Sequence, residues 1–218
     1  MAGFIDAQFL PFVVACTLLS VTPGVDTLLV IRNTARGGLR DGVLTSLAIC
    51  FGLFVHATVS ALGVSLILLQ SAWAFALLKL LGAGYLIWLG IQSLRQVRSG
   101  QGLAVEAVNA ATRQQRGGVW RPLREGLLSN VLNPKTIVFY MAFLPQFITP
   151  ADPVLAKSLW LAGVHFVIAN IWQILVAAMV GSASAWLAKP AFSRWLNGLT
   201  GTVLVAFGVK LALTNRPG

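Results

Sequence analysis

Two short segments of this chain each combine a proline, a loosened neighbour and a single charge within apolar sequence. The first runs from Leu18 to Thr27 (L-L-S-V-T-P-G-V-D-T) and the second from Leu127 to Thr136 (L-L-S-N-V-L-N-P-K-T). In the first, Pro23 lacks a backbone donor and clashes with the preceding turn, and Gly24 relaxes what remains. A helix broken inside a membrane frees carbonyls and amides, which is tolerable only where they face protein or a polar cavity. A carboxylate at that depth costs about 2.5–3.5 kcal/mol on insertion scales. Asp26 is therefore a candidate to bind a substrate ammonium or carry a coupling proton; the competing reading is a structural ion pair with Lys135. In the second segment Asn133 suits an N-cap and Pro134 a first helical turn. The free N–H groups and positive end of a restarting helix suit a carboxylate, and Lys135 strengthens that field. Ser129 and Asn130, about one turn earlier, add hydrogen-bonding groups. Ammonium at one end and carboxylate at the other would fit a zwitterion.

The remaining reactive side chains are few. His56 lies on a helical face with Ala48, Gly52, Ser60 and Gly63; His165 shares one with Ala169 and Gln173, flanked by Asn170. Small faces let helices pack closely, so a satisfied interhelical histidine is the plain reading of each. Proton coupling through His56 and His165 is the sharper one, since imidazole titrates near neutrality. With no cysteine or carboxylate at ligand spacing, no metal site is expected. Cys16 and Cys50 lie in apolar runs and read as inert buried thiols, with a membrane thiol-redox pair as the rival. No phosphate-binding glycine loop, H-E-x-x-H or Ser-His-Asp order is present. Neither an enzyme nor a cofactor is expected.

Elements long enough to cross a bilayer must position these residues. Hydrophobic residues make up 57% of the chain and charged ones 10%, against about 25% charged in a soluble domain. Mean hydropathy is +0.81. So few charges cannot cover a water-facing surface, so lipid is the expected solvent. A span needs about 20 apolar residues, and six segments qualify: 9–31, 42–69, 73–94, 123–148, 155–187 and 192–213. Their lack of short-period alternation favours helices over a barrel. Trp73, Trp120, Trp160 and Trp186 near segment ends suit an interfacial belt. The net charge of +10 sits between segments: Arg32, Arg36 and Arg40; Arg95, Arg98, Arg113, Arg116, Arg121 and Arg124; Lys189 and Arg194. That pattern reads as positive-inside topology facing anionic lipid, not as nucleic-acid binding. The other side has Lys79, Lys157, Lys210 and Arg216, which puts both termini outside the cytoplasm. Met1 to Gln8 carries Asp6 and no basic residue, unlike a cleavable signal. Residues 99–122 form the one long polar loop, with a short helix expected around 104–115.

The chain also repeats itself. A shift of 109 residues places Leu18-Leu19-Ser20 on Leu127-Leu128-Ser129, Asp26 on Lys135, Thr27 on Thr136 and His56 on His165. With a slightly larger shift, Leu89-Gly90-Ile91 falls on Phe207-Gly208-Val209. A three-helix unit repeated once takes opposite orientations in a membrane, a common transporter plan. Asp26 is about 9 Å and Lys135 about 16 Å from the basic edge at 1.5 Å per residue, a sum near the roughly 30 Å core expected of inverted equivalents. The expected architecture is an all-α integral membrane protein of one transporter domain over 1–218. It has two inverted three-helix repeats (about 8–98 and 123–214), a cytoplasmic loop (about 99–122), and the first and fourth helices broken. Small faces at Gly198, Gly201 and Gly208 suit packing within one bundle or between two, leaving a homodimer open.

Several blocks resemble the LysE/RhtB family of bacterial amino-acid exporters. They are T-P-G-V-D-T-L-L-V (Thr22 to Val30), R-G-G-L-R-D-G (Arg36 to Gly42), L-L-K-L-L-G-A-G-Y-L-I-W-L-G (Leu77 to Gly90), and G-L-L-S-N-V-L-N-P-K-T-I-V-F-Y-M-A-F-L-P-Q-F (Gly126 to Phe147). The family's first block often reads P-G-P-D; here Val25 stands for the second proline. The resemblance covers nearly the whole chain. It implies a multi-pass inner-membrane carrier that exports amino acids or their derivatives, driven by protons. Joined to the residue reading, it implies alternating access with a site of Pro23, Gly24, Asp26, Ser129, Asn130, Asn133, Pro134 and Lys135. Few polar groups are expected inside, which favours a small neutral substrate over lysine or arginine. A transition-metal or ion exporter of related architecture is the alternative; it would show clusters of His, Cys or acidic residues.

Overall fold

The computed structural model describes residues 8–70, 118–149, 151–182 and 190–213, together with residues 77, 80, 81, 83, 84, 87, 88, 90–92, 94, 95 and 97. Among these the secondary structure is helical and no strand occurs. Helices α1 (Phe9–Val21) and α2 (Val25–Gly37) meet at a bend of 51°. A long helix α3 (Leu39–Gln70) follows. The second broken piece begins with α4 (Trp120–Val131) and bends by 48° into Pro134–Phe147. That continuation starts as α5 (Pro134–Val138), widens to a π-helical turn over Phe139–Phe143 and tightens to a 3-10 turn over Leu144–Phe147. The chain closes with α6 (Val154–Ser182) and α7 (Pro190–Leu213).

The expected breaks fall where the prolines put them. Gly24 and Asn133 are the N-caps of α2 and α5, and they are 109 residues apart in the sequence. Four of the six expected spans meet the length and hydropathy test: Leu39–Gly63, Val154–Val180 and the two bent pairs. The sixth is α7, whose 24 residues extend about 36 Å at 1.5 Å per residue. The third falls in part outside the described residues, and the described ones from 77 to 97 are helical. The helix expected over 104–115 lies outside them. Helix α4 begins at Trp120, three residues before the expected start at 123.

The helices are turned inside out relative to a soluble bundle. Phe51, Val55, Val59 and Leu62 of α3 and Val167, Ile171 and Leu175 of α6 are exposed. Thr45, Ser46, His56, Ser60, Asn170 and Gln173 on the same two helices are buried. Apolar surface outward and polar groups inward is the arrangement lipid imposes. This is an all-α membrane protein.

Helix α3 sits at the centre against α2, α4 and α6, and α6 also covers α1 and α2. Ser46 Oγ donates to Asn170 Oδ1 at 2.9 Å, tying α3 to α6. The small-residue face of α7 packs within the chain. A Cβ on Gly90 would come 2.7 Å from the Gly201 carbonyl oxygen, and a Cβ on Gly201 would come equally close to that of Gly90.

Candidate substrate site

The two helix breaks brace one another. Asp26 stands in the first turn of α2, where the helix end favours its negative charge. Its Oδ1 accepts from Ser129 Oγ at 2.7 Å, and its Oδ2 accepts from Asn130 Nδ2 and Asn133 Nδ2, both at 3.0 Å. All three donors belong to α4 and the break that follows it. Lys135 makes the reverse crossing. Its Nζ donates to the carbonyl oxygens of Leu19 at 2.7 Å and Thr22 at 2.9 Å. These carbonyls lie at the negative end of α1. The Leu19 oxygen is free for Lys135 because Pro23, four residues on, has no N–H to offer it.

Asn133 could hardly be another residue. Its side-chain oxygen caps α5 by accepting from the Lys135 N–H at 3.0 Å, while its amide nitrogen binds Asp26. Asn130 also reaches Thr136 Oγ1 at 3.4 Å, and its backbone oxygen accepts from His56 Nε2 at 3.0 Å. The Asn130 side-chain oxygen lies against Gly52 of α3, where a Cβ would come within 2.5 Å of it.

His165 is held at both ring nitrogens. Ser20 Oγ donates to the Cys16 carbonyl at 2.8 Å, so toward His165 it can only accept, from Nε2–H at 3.3 Å. Nδ1 then accepts from the Tyr140 hydroxyl at 3.1 Å, and the two rings stack at 13°. The π-helical turn sets Tyr140, whose backbone oxygen accepts from Ser60 Oγ at 2.8 Å.

These groups surround one small cavity, part of it open to the surface. Of the residues expected from sequence, Gly24, Asp26, Asn130, Asn133, Lys135 and His165 line it. Ser129 reaches the site through its bond to Asp26. Pro23 and Pro134 act by ending α1 and opening α5. His56 stands behind Asn130. Thr22, Thr136 and Gln173 also line the cavity and were not expected; for Gln173 the signal was its place two turns beyond His165 on one helical face. Cys16 and Cys50 are buried and form no disulfide. No group of three or more His, Cys, Asp or Glu that would suit a metal ion occurs among the described residues.

A further cluster on the arginine-rich side escaped the sequence. Glu125 of α4 accepts from Arg32 at 2.7 Å and Asn33 at 3.1 Å, both on α2, and from Arg121 at 3.2 Å. It joins the arginine-bearing parts of the two broken pieces.

Known proteins place this architecture. A protein of Bacillus subtilis, the uncharacterized membrane protein YrhP, is 31% identical over 95% of this chain and 99% of its own length. The homoserine/homoserine lactone efflux protein of Salmonella typhimurium is 32% identical over 92% of this chain and 94% of its own. The threonine efflux protein of Escherichia coli is 26% identical over 89% and 92%. No solved structure matches. The family model of the LysE type translocators matches residues 17–215, a stretch holding both helix breaks, and the chain belongs to that family.

Proposed function

We propose that the protein exports small neutral amino acids or their derivatives across the bacterial inner membrane by alternating access of the cavity between its two helix breaks. One observation carries this reading: each half-buried charge of the cavity keeps one unused position. An ionised carboxylate offers about four acceptor sites and an ammonium three donors. Asp26 accepts from three groups and Lys135 donates to two. One acceptor site beside one donor site, on opposite charges, matches the ammonium and carboxylate of an amino acid. Relatives named for homoserine and threonine efflux support a small hydroxylated substrate.

The matching N-caps and near-equal bends support two three-helix repeats of opposite orientation, rocking about the site, with both termini on the outer side. Proton coupling is assigned to Asp26. Both nitrogens of His165 are already engaged, and His56 Nε2 is committed to the Asn130 carbonyl. The Glu125 cluster would close the cytoplasmic mouth.

The test is purified protein in lipid vesicles loaded with radiolabelled homoserine, threonine or lysine. Efflux of homoserine or threonine should exceed that of lysine and should quicken when an inward proton gradient is imposed. Efflux of every amino acid at the rate of protein-free vesicles would overturn the reading.

A further inference from the structure

We propose that Gln173 determines which substrate side chain the cavity accepts, by hydrogen-bonding a side-chain hydroxyl. The inference rests on the amino-acid exporter reading and adds a third point to it.

Asp26 and Lys135 account for the two ends common to all amino acids, so discrimination must come from elsewhere in the cavity. On α6 the lining residues are His165, Ala169 and Gln173, four apart and so on one helical face. His165 uses both nitrogens on Ser20 and Tyr140. Ala169 offers no polar group, but its small side chain leaves room. Gln173 is only 6% exposed, yet its side-chain oxygen has no hydrogen-bond partner among the described residues. Buried polar groups are nearly always paired, and leaving one unpaired is costly. The other lining residue with an orphaned buried oxygen is Asn130, and that oxygen is packed against Gly52. Gln173 is thus the buried, unsatisfied group set apart from the charged pair.

A glutamine amide has an acceptor and a donor. A hydroxyl can satisfy either; a methyl group satisfies neither and leaves the amide orphaned. A site with a buried polar group waiting for a partner therefore rejects the methyl analogue far more strongly than an apolar pocket would. Three anchors not on one line also distinguish the two mirror forms of the substrate.

The experiment compares efflux of L-homoserine with L-2-aminopentanoate, in which a methyl replaces the hydroxyl, from vesicles holding the full-length protein. The rate ratio within one preparation cancels differences in protein amount. The unsubstituted protein should favour homoserine by about ten-fold or more. Gln173→Leu should bring the ratio near one, and Gln173→Glu, which keeps an acceptor, should retain it. Equal ratios in the unsubstituted and Gln173→Leu proteins, or a ratio lost in Gln173→Glu, would overturn the assignment of Gln173. A protein that transports both compounds equally overturns Gln173 alone. One that transports neither, nor any other amino acid, overturns the exporter reading beneath it.

Discussion

Asp26 and Lys135 are bound not to each other but each to the helix break that carries the other. Asp26 of the first half is held by Ser129, Asn130 and Asn133 of the second. Lys135 of the second is held by the Leu19 and Thr22 carbonyls of the first. The opposite charges thus share a cavity, and each makes its hydrogen bonds to the other's segment and not to the other charge.

Asp26→Asn and Lys135→Met should each lower amino-acid efflux by about 100-fold, since each removes a charged hydrogen-bonding partner worth roughly 1.5–3 kcal/mol. The double variant should be no better than either single one. Were the two residues an ion pair, removing both would relieve the uncompensated charge and restore transport relative to the singles. Efflux rates for all four proteins, corrected for membrane content, decide between these.

Gly52→Ala should impair transport without removing a polar group. Its new methyl would lie 2.5 Å from the Asn130 side-chain oxygen and 3.0 Å from that residue's Cβ and Cγ, pushing the amide off Asp26. Loss of one such bond to a charged group predicts about ten-fold slower efflux or worse. Gly63→Ala on the same helix meets nothing within 4 Å and serves as the control; equal rates in both variants would refute the account.

Tyr140→Phe should destabilise the protein, because it strips the donor from a buried His165 nitrogen. An unsatisfied buried acceptor costs about 1–3 kcal/mol. For a chain this size each kcal/mol lowers Tm by about 2–4 °C. Thermal unfolding of the detergent-solubilised protein measures it; an unchanged Tm would mean the ring finds another partner.

The turn before α6 should be sensitive to acid. Asp152 accepts from Lys157 Nζ at 3.0 Å and from the Thr149 N–H and hydroxyl, both at 2.7 Å. Burial pushes the Asp152 carboxyl up, but the Thr149 bonds and the Lys157 ammonium outweigh it and hold it below its ordinary value of 3.8. A depressed carboxyl stabilises fully above its unfolded value and loses that stabilisation as pH falls through the folded one. Lys157 is 2% exposed, so Asp152→Asn removes the carboxylate facing a buried ammonium and should cost about 3 kcal/mol. The Tm difference between the two proteins should hold from pH 8 to about 5 and shrink only below the ordinary value near 4.

Much of the architecture was legible because lipid writes simple rules. Pro23-Gly24 and Asn133-Pro134 marked the breaks, and the apolar runs marked α3 and α6 to within a few residues at most ends. The arginines then marked one side. What stayed hidden depends on distance across the bundle. Whether Asp26 and Lys135 touch is set by how α2 lies against α4 and the break after it, which no spacing along one helix reveals. Tyr140 meets His165 from within a π-helical turn, and aromatic residues in an apolar run give no sign of such a turn. Lys157 counted as a charge facing outward by topology, but Asp152 neutralises it. Glu125 lies inside the fourth expected segment, and its partners Arg32 and Asn33 come from α2, far away along the chain.

The mutual bracing of the breaks also bears on how the chain is made. When residues up to Gln70 have entered the bilayer, the Leu19 and Thr22 carbonyls and the Asp26 carboxylate have no permanent partners. Those arrive only with Ser129 to Lys135. The first half must therefore wait in an incompletely satisfied state, shielded by lipid headgroups, water or the insertion machinery, until the second half is synthesised. The site comes into existence at the moment the two halves close on one another.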